Sequence, residues 1–215
     1  MKKSVFFALA LVFAASTAAV AEVHTVGGGA PDIGNTYPFY GSSPAFRWQT
    51  MWLQSELGET GPVTKIEWQI WTTAGVGGKY QDCDILLCHT GFSALTSTFA
   101  LNYGGKTPVN VFSGVYTLPA TNALDWVTIV EPTNFTYNNT DNLLIEISWQ
   151  TGTGVPNYFW TRTRGSSFPG RVYNTSSKTA ASGTLQTGYH HYGRITIGYV
   201  GVAPTSLGRV KALFN

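Results

Sequence analysis

The chain reads as an all-β protein: a two-sheet antiparallel β-sandwich, jelly-roll-like, with about nine strands. Three observations predict it. Apolar and polar residues alternate with period two in several stretches. The apolar members are mostly β-branched or aromatic, which suits strand better than helix. Short runs such as Gly58-Glu59-Thr60-Gly61-Pro62, Gly75-Val76-Gly77-Gly78, Gly104-Gly105 and Asn138-Asn139-Thr140-Asp141 separate them as turns. Strands with one apolar face need a second sheet to cover it, hence the sandwich.

The elements follow in order. Met1-Lys2-Lys3 is a basic start, Ser4 to Ala15 an apolar run, and Ala19-Val20-Ala21 a small-residue cleavage pattern. This predicts a signal peptide over 1–21, with Glu22 as the first mature residue and the protein secreted, at the cell surface or periplasmic. The apolar run is shorter than the about 20 residues of a membrane span, and no later segment is apolar enough, so no transmembrane segment is expected after cleavage. Residues 22–36 are expected to be a flexible, glycine-rich lead-in, and 37–202 the sandwich domain. Val63–Thr72 places Ile66, Trp68 and Ile70 opposite Lys65, Glu67 and Gln69. Asp82–His89 places Cys83, Ile85 and Leu87 opposite Asp82, Asp84 and Leu86. Leu143, Ile145, Ile147 and Trp149 stand opposite Leu144, Glu146 and Ser148. Further strands are expected at Phe46–Leu53, Val109–Leu118, Leu124–Val130, Asn157–Arg164, Gly170–Tyr173 and Gly193–Val200. No helix longer than about two turns is evident before residue 204. In the tail, 203–215, Ser206 can cap a short helix bearing Leu207, Val210, Leu213 and Phe214; a frayed end is the alternative.

Composition excludes several function classes. Charged residues are 11% against the about 25% usual in soluble proteins. The formal charge is +2, and both excess lysines, Lys2 and Lys3, sit in the leader. A neutral mature chain has no field to steer phosphate, so nucleic acid is not an expected partner. Coiled coils, helical bundles and charged disordered chains are excluded on the same composition.

An ordered series of short motifs points to a family. It runs Tyr37-Pro38-Phe39-Tyr40, Ser55-Glu56-Leu57-Gly58, Val63-Thr64-Lys65-Ile66, then Asp84-Ile85-Leu86-Leu87-Cys88-His89-Thr90. It continues through Val111-Phe112-Ser113-Gly114, Leu118-Pro119, Trp126-Val127-Thr128-Ile129 and Phe135-Thr136-Tyr137 to Ile147. Over about residues 37–200 the chain resembles a β-sandwich module of large secreted and cell-surface proteins in Bacteroidota-like bacteria. The resemblance implies a module that accompanies proteases, adhesins or other domains and has no catalytic site of its own. The ending Ser206-Leu207-Gly208-Arg209-Val210-Lys211-Ala212-Leu213-Phe214 resembles a short tail on exported proteins of other bacterial groups.

The residues themselves offer little catalytic chemistry. There is no G-x-S-x-G elbow and no H-E-x-x-H. His24 lies in the lead-in, and His89 is in phase with core positions. His190 and His191 are adjacent, so on a strand they point to opposite faces and do not share a metal. Asp82 and Asp84 share a strand face with Cα atoms about 6.5 Å apart, which suits a cation or plain solvation. The glycine run at 73–79 lacks the first Gly and the final Ser or Thr of a phosphate loop. In a straight strand Cys83 and Cys88 lie roughly 16 Å apart on opposite faces. A disulfide needs Cα atoms within about 7 Å, so no bridge is expected. The C-x4-C-H spacing departs from haem-attachment C-x-x-C-H, and no cofactor is expected. No catalytic residue and no metal ligand are assigned.

Aromatic residues are the suggestive feature, at 14% of the chain. Rings exposed on a sheet or loop can stack on sugar faces, and low charge suits a neutral glycan. Most large rings in a sandwich fill the core, and Trp68 and Trp149 are in phase with aliphatic core positions. Trp71, Trp160, Tyr189, His190 and Tyr192 are the candidate ligand-binding residues, by phase or by loop position. The expected function is a non-catalytic binding module for an extracellular glycan or cell-surface protein. The alternative is a structural or adhesive subunit joined through its arm and edge strands.

Overall fold

The computed structural model describes residues 21–27, 32–41, 43–71, 77–150, 152–153 and 161–198. The expected leader up to residue 20, the tail, Trp160 and the start of the 157–164 strand lie outside the described residues.

The protein is all-β, and its two main antiparallel sheets face one core. The first sheet has the order β1 (Glu22–Val26), β15 (Gly193–Ile197), β4 (Gly61–Gln69), β7 (Trp126–Val130), with β8 (Thr136–Tyr137) beside the start of β4. The second has β6 (Val109–Leu118), β5 (Gly78–Thr90), β9 (Asn142–Gln150), β3 (Ala45–Trp52), β12 (Pro169–Asn174) and β13 (Thr184–Thr187). β10 (Gly152–Thr153) prolongs β9 along β5, because Ser148↔Asp84 and Gly152↔Tyr80 keep one register. A small third sheet joins β14 (His190–His191), β11 (Thr161–Arg164) and β2 (Asp32–Asn35). It meets the first sheet through the bridge Ile70↔Thr161.

The alternation sets the layers. Ile66, Trp68 and Ile70 of β4 and Leu143, Ile145, Ile147 and Trp149 of β9 all point into the shared core. Two register breaks reconcile odd spacings with one buried face. A shift between Thr196 and Ile197 lets both Val63 and Ile66 face inward. A shift at Asp82, whose φ of 46° is left-handed, does the same for Tyr80 and Cys83. The segment Tyr37–Tyr40 enters the sandwich from one end. Its Phe39 ring stacks on Tyr116 (5.4 Å between centroids), and the Pro38 and Phe39 carbonyls accept hydrogen bonds from Trp149 Nε1 and the Tyr80 hydroxyl.

Two expectations need correction. The lead-in is not free: Glu22–Val26 forms β1 with the full length of β15, and Asp32–Asn35 forms β2 against β11. Strand segments also outnumber the nine expected, because six of them have five residues or fewer outside the predicted runs and are too short to display a period. The outer face of the second sheet is covered over its central strands, whereas β6 and β13 stay largely exposed. A 3-10 helix at Phe99–Tyr103 covers Met51, Cys88, Leu95, Leu144 and Val172 in a second apolar layer. There Glu146 is buried in a polar network: Arg47 Nε donates to it at 3.0 Å, Gln49 Nε2 at 2.6 Å and the Tyr103 hydroxyl at 2.6 Å.

Candidate functional site

β7 alternates, and this positions an aromatic surface on the outside of the first sheet. Val127 and Ile129 fill the core, so Trp126 and Thr128 face outward. The pairs Gln69↔Trp126, Glu67↔Thr128 and Arg194↔Glu67 put these side chains on one outer face. Arg194 lies 4.6 Å over the Trp126 ring and is fixed by Glu67, with Nε–Oε2 at 2.5 Å. The Trp126 and Tyr192 rings sit side by side, 5.6 Å between centroids. Arg162 and Arg164 lie 5.1 and 4.6 Å over Tyr192, and Arg162 Nη1 donates to Gln69 Oε1 at 2.6 Å. The result is a row in which guanidinium groups and rings alternate. Trp71, two residues beyond Gln69, is half-buried at the end of this strand, and its carbonyl accepts the Leu124 N–H. Trp126 and Tyr192 are half-buried too. Such a face offers apolar ring surface with planar donors beside it, the combination that seats a sugar's C–H face and hydroxyls.

The five candidate residues do not form one site. Tyr192 and Trp71 belong to the outer face just described; Trp160 lies outside the described residues. Tyr189 is engaged elsewhere, 4.4 Å from the guanidinium of Arg171. That arginine is buried, hydrogen-bonded to Gln186 through Nε (2.9 Å) and Nη2, and also stacked near Tyr37. Burial lowers its pKa to about 10, with the surrounding tyrosine hydroxyls opposing, so it remains charged at neutral pH. His190 is buried and so is not a surface ligand. It faces α1 (Gln54–Leu57), with Nε2 3.7 Å from Glu56 Oε2, and its ring meets Phe168 edge-on. His191 points the other way, between Trp48 and Trp68, with Nε2 2.8 Å from the Tyr37 carbonyl. Burial holds both imidazoles below the ordinary range, that of His191 far below. The opposite facing of the pair follows from strand alternation.

Other sequence candidates resolve into structural roles. Lys178 Nζ sits 2.7 Å from both Asp82 Oδ1 and Asp84 Oδ2, so an internal ammonium already occupies that carboxylate pair. Burial raises the Asp84 carboxyl, and hydrogen bonds from Lys178, Ser113 and Asn110 outweigh it, leaving the group below the usual range. Cys83 and Cys88 are free thiols on opposite faces of β5, one in each apolar layer, as the spacing predicts. His89 stacks on Phe135 and accepts the Asn138 N–H at 3.2 Å. A cavity of about 280 Å³ opens beside Phe92, lined also by Gly91, Gly104, Lys106 and Asp141. Its two charges pair with each other, which leaves Phe92 as its apolar wall.

Trp126 and Arg194 are not among the candidates that the sequence offers. The signal was present: Val127 and Ile129 are apolar at i+1 and i+3, which turns Trp126 outward. No protein-family model matches the chain, and no characterised protein or solved structure matches it.

Proposed function

We propose that this chain is an exported, non-catalytic binding module that holds an extracellular or cell-surface glycan on the outer face of its first sheet. The observation that supports the reading is the half-buried Trp126–Tyr192 pair, flanked by Arg194, Arg162 and Gln69. The rings carry the contact and the arginine and amide groups direct hydroxyls. Export rests on the leader motif of residues 1–21, and the resemblance to modules of secreted Bacteroidota-like proteins supports the same setting. A jelly-roll connection of the two sheets is part of the same proposal and rests on the strand pattern.

The alternative, a subunit that assembles through its edges, has one feature in its favour. β6 is ten residues long and pairs only with β5 among the described residues. The register shift between Ile85 and Leu86 puts an extra residue, Val111, in β6, and such a bulge spoils a template for strand addition. We therefore favour binding. A glycan array probed with the exported protein is the test, alongside intact-mass analysis for Glu22 as the first residue. Saturable binding to a defined glycan supports the module; concentration-dependent fibres or dimers without glycan binding support the subunit.

A further inference from the structure

We propose that Glu22, His24 and Glu59 form a site for a divalent transition-metal ion, with Zn²⁺ its natural occupant. Glu22 and His24 are i, i+2 on β1 and so share a face. Glu59 reaches them because α1 ends at Gly58, whose φ of 66° turns the chain back towards β1. A Cβ built at Gly58 would lie 3.9 Å from His24 Cε1, so the two segments run close together. One ligand atom from each of the three residues lies within 4.8 Å of the others.

Two further facts point to an ion rather than a plain ion pair. His24 Nε2 and Glu59 Oε2 are both buried, and neither makes a hydrogen bond. This holds although the Glu59 side chain as a whole is 41% exposed and that of His24 is 15% exposed. The two atoms stand 3.5 Å apart, beyond an ordinary hydrogen bond. Two ligands at Zn–N and Zn–O bond lengths in a tetrahedron would be separated by about 3.3–3.6 Å. An imidazole with two carboxylates suits Zn²⁺ better than Ca²⁺, which takes six to eight oxygens. Three protein ligands leave a fourth position for water, on the side where Glu22 is exposed. The ion would tie the edge strand β1 to the loop after α1. Its residues are separate from the Trp126 row, so the two proposals stand or fall independently.

The test uses untagged protein, stripped with chelator and titrated with ZnCl₂ by calorimetry and thermal melting, with CaCl₂ as a control. The site predicts one zinc equivalent, a rise in Tm with zinc and no rise with calcium. Glu59→Gln and His24→Ala should each weaken binding at least tenfold. Glu59 lies outside the strands, so Glu59→Gln keeps the fold, and circular dichroism checks it. Amide exchange on the wild type needs no variant: zinc should slow exchange across Glu22–Val26. No heat and no Tm shift at millimolar zinc, zinc binding that survives both substitutions, or an equal response to calcium would each overturn the proposal.

Discussion

Single residues divide by the work that burial imposes on them. Glu146 is the acceptor at the centre of the Arg47, Gln49 and Tyr103 network, beneath the 3-10 helix. Glu146→Ala should cost about 3–5 kcal/mol, because it leaves the half-buried Arg47 charge without its counter-ion. Glu146→Gln should cost less; urea unfolding of the two variants measures the difference. His190 and His191 set the acid limb of stability. Their folded-state pKa values lie below the ordinary 6.5, so the unfolded chain takes up protons first as pH falls. Stability should therefore be full above about pH 6.5 and decline below it, further still as the depressed Asp84 and Asp141 protonate. Urea midpoints at pH 7 and pH 5 test the sign, and His191→Gln should flatten the slope even where it lowers the midpoint. At this scale alternation placed Trp68, Trp149 and the opposed histidines correctly. It did not reveal that Glu146 is buried, because period two says which face a residue takes and not what covers that face.

Among the elements, β5 shows most plainly how pattern becomes packing. Asp82 absorbs one extra residue in a left-handed conformation, and from there Cys83, Ile85 and Leu87 enter the shared core while Cys88 enters the outer layer. Burial pushes the Cys83 thiol up to about 12 and the Cys88 thiol up to about 11. Neither should react with a thiol reagent in the native protein at neutral pH, and both should react in denaturant without prior reduction. Labelling counted by mass spectrometry with and without urea decides it; a linked Cys83–Cys88 peptide would break the strand assignment. The long strands were legible because each shows several periods. β1, β2 and β14 were not, since their pairing comes from long-range partners such as Val26↔Gly193 and Thr163↔His191 rather than from local pattern, and β13, though it pairs with its sequence neighbour β12, is only four residues long. The glycine content of residues 22–36 suggested mobility, yet Gly27 is required there. A Cβ at that position would fall 2.4 Å from the His191 carbonyl oxygen, so Gly27→Ala should destabilise the domain in a thermal melt.

For the molecule as a whole, two sheets bury their aromatic and aliphatic faces on one another, and the first sheet keeps an aromatic row for the outside. That division was half visible beforehand: Tyr192 and Trp71 were among the candidates, whereas His190 is buried against α1 and Tyr189, though half-buried like Tyr192, packs on Arg171 instead. The row depends on Trp126 in one strand lying beside Tyr192 from a segment 66 positions away in sequence, a proximity that no local pattern encodes. The central claim separates packing rings from contact rings, and one paired measurement addresses it: thermal melts and glycan titrations on Trp126→Ala, Tyr192→Ala, Trp68→Ala and Trp149→Ala. The core pair should lose about 3–5 kcal/mol of stability. The outer pair should change stability little while losing on the order of 1–3 kcal/mol of glycan affinity. Equal destabilisation by all four, with no selective loss of binding at Trp126 or Tyr192, would contradict the account.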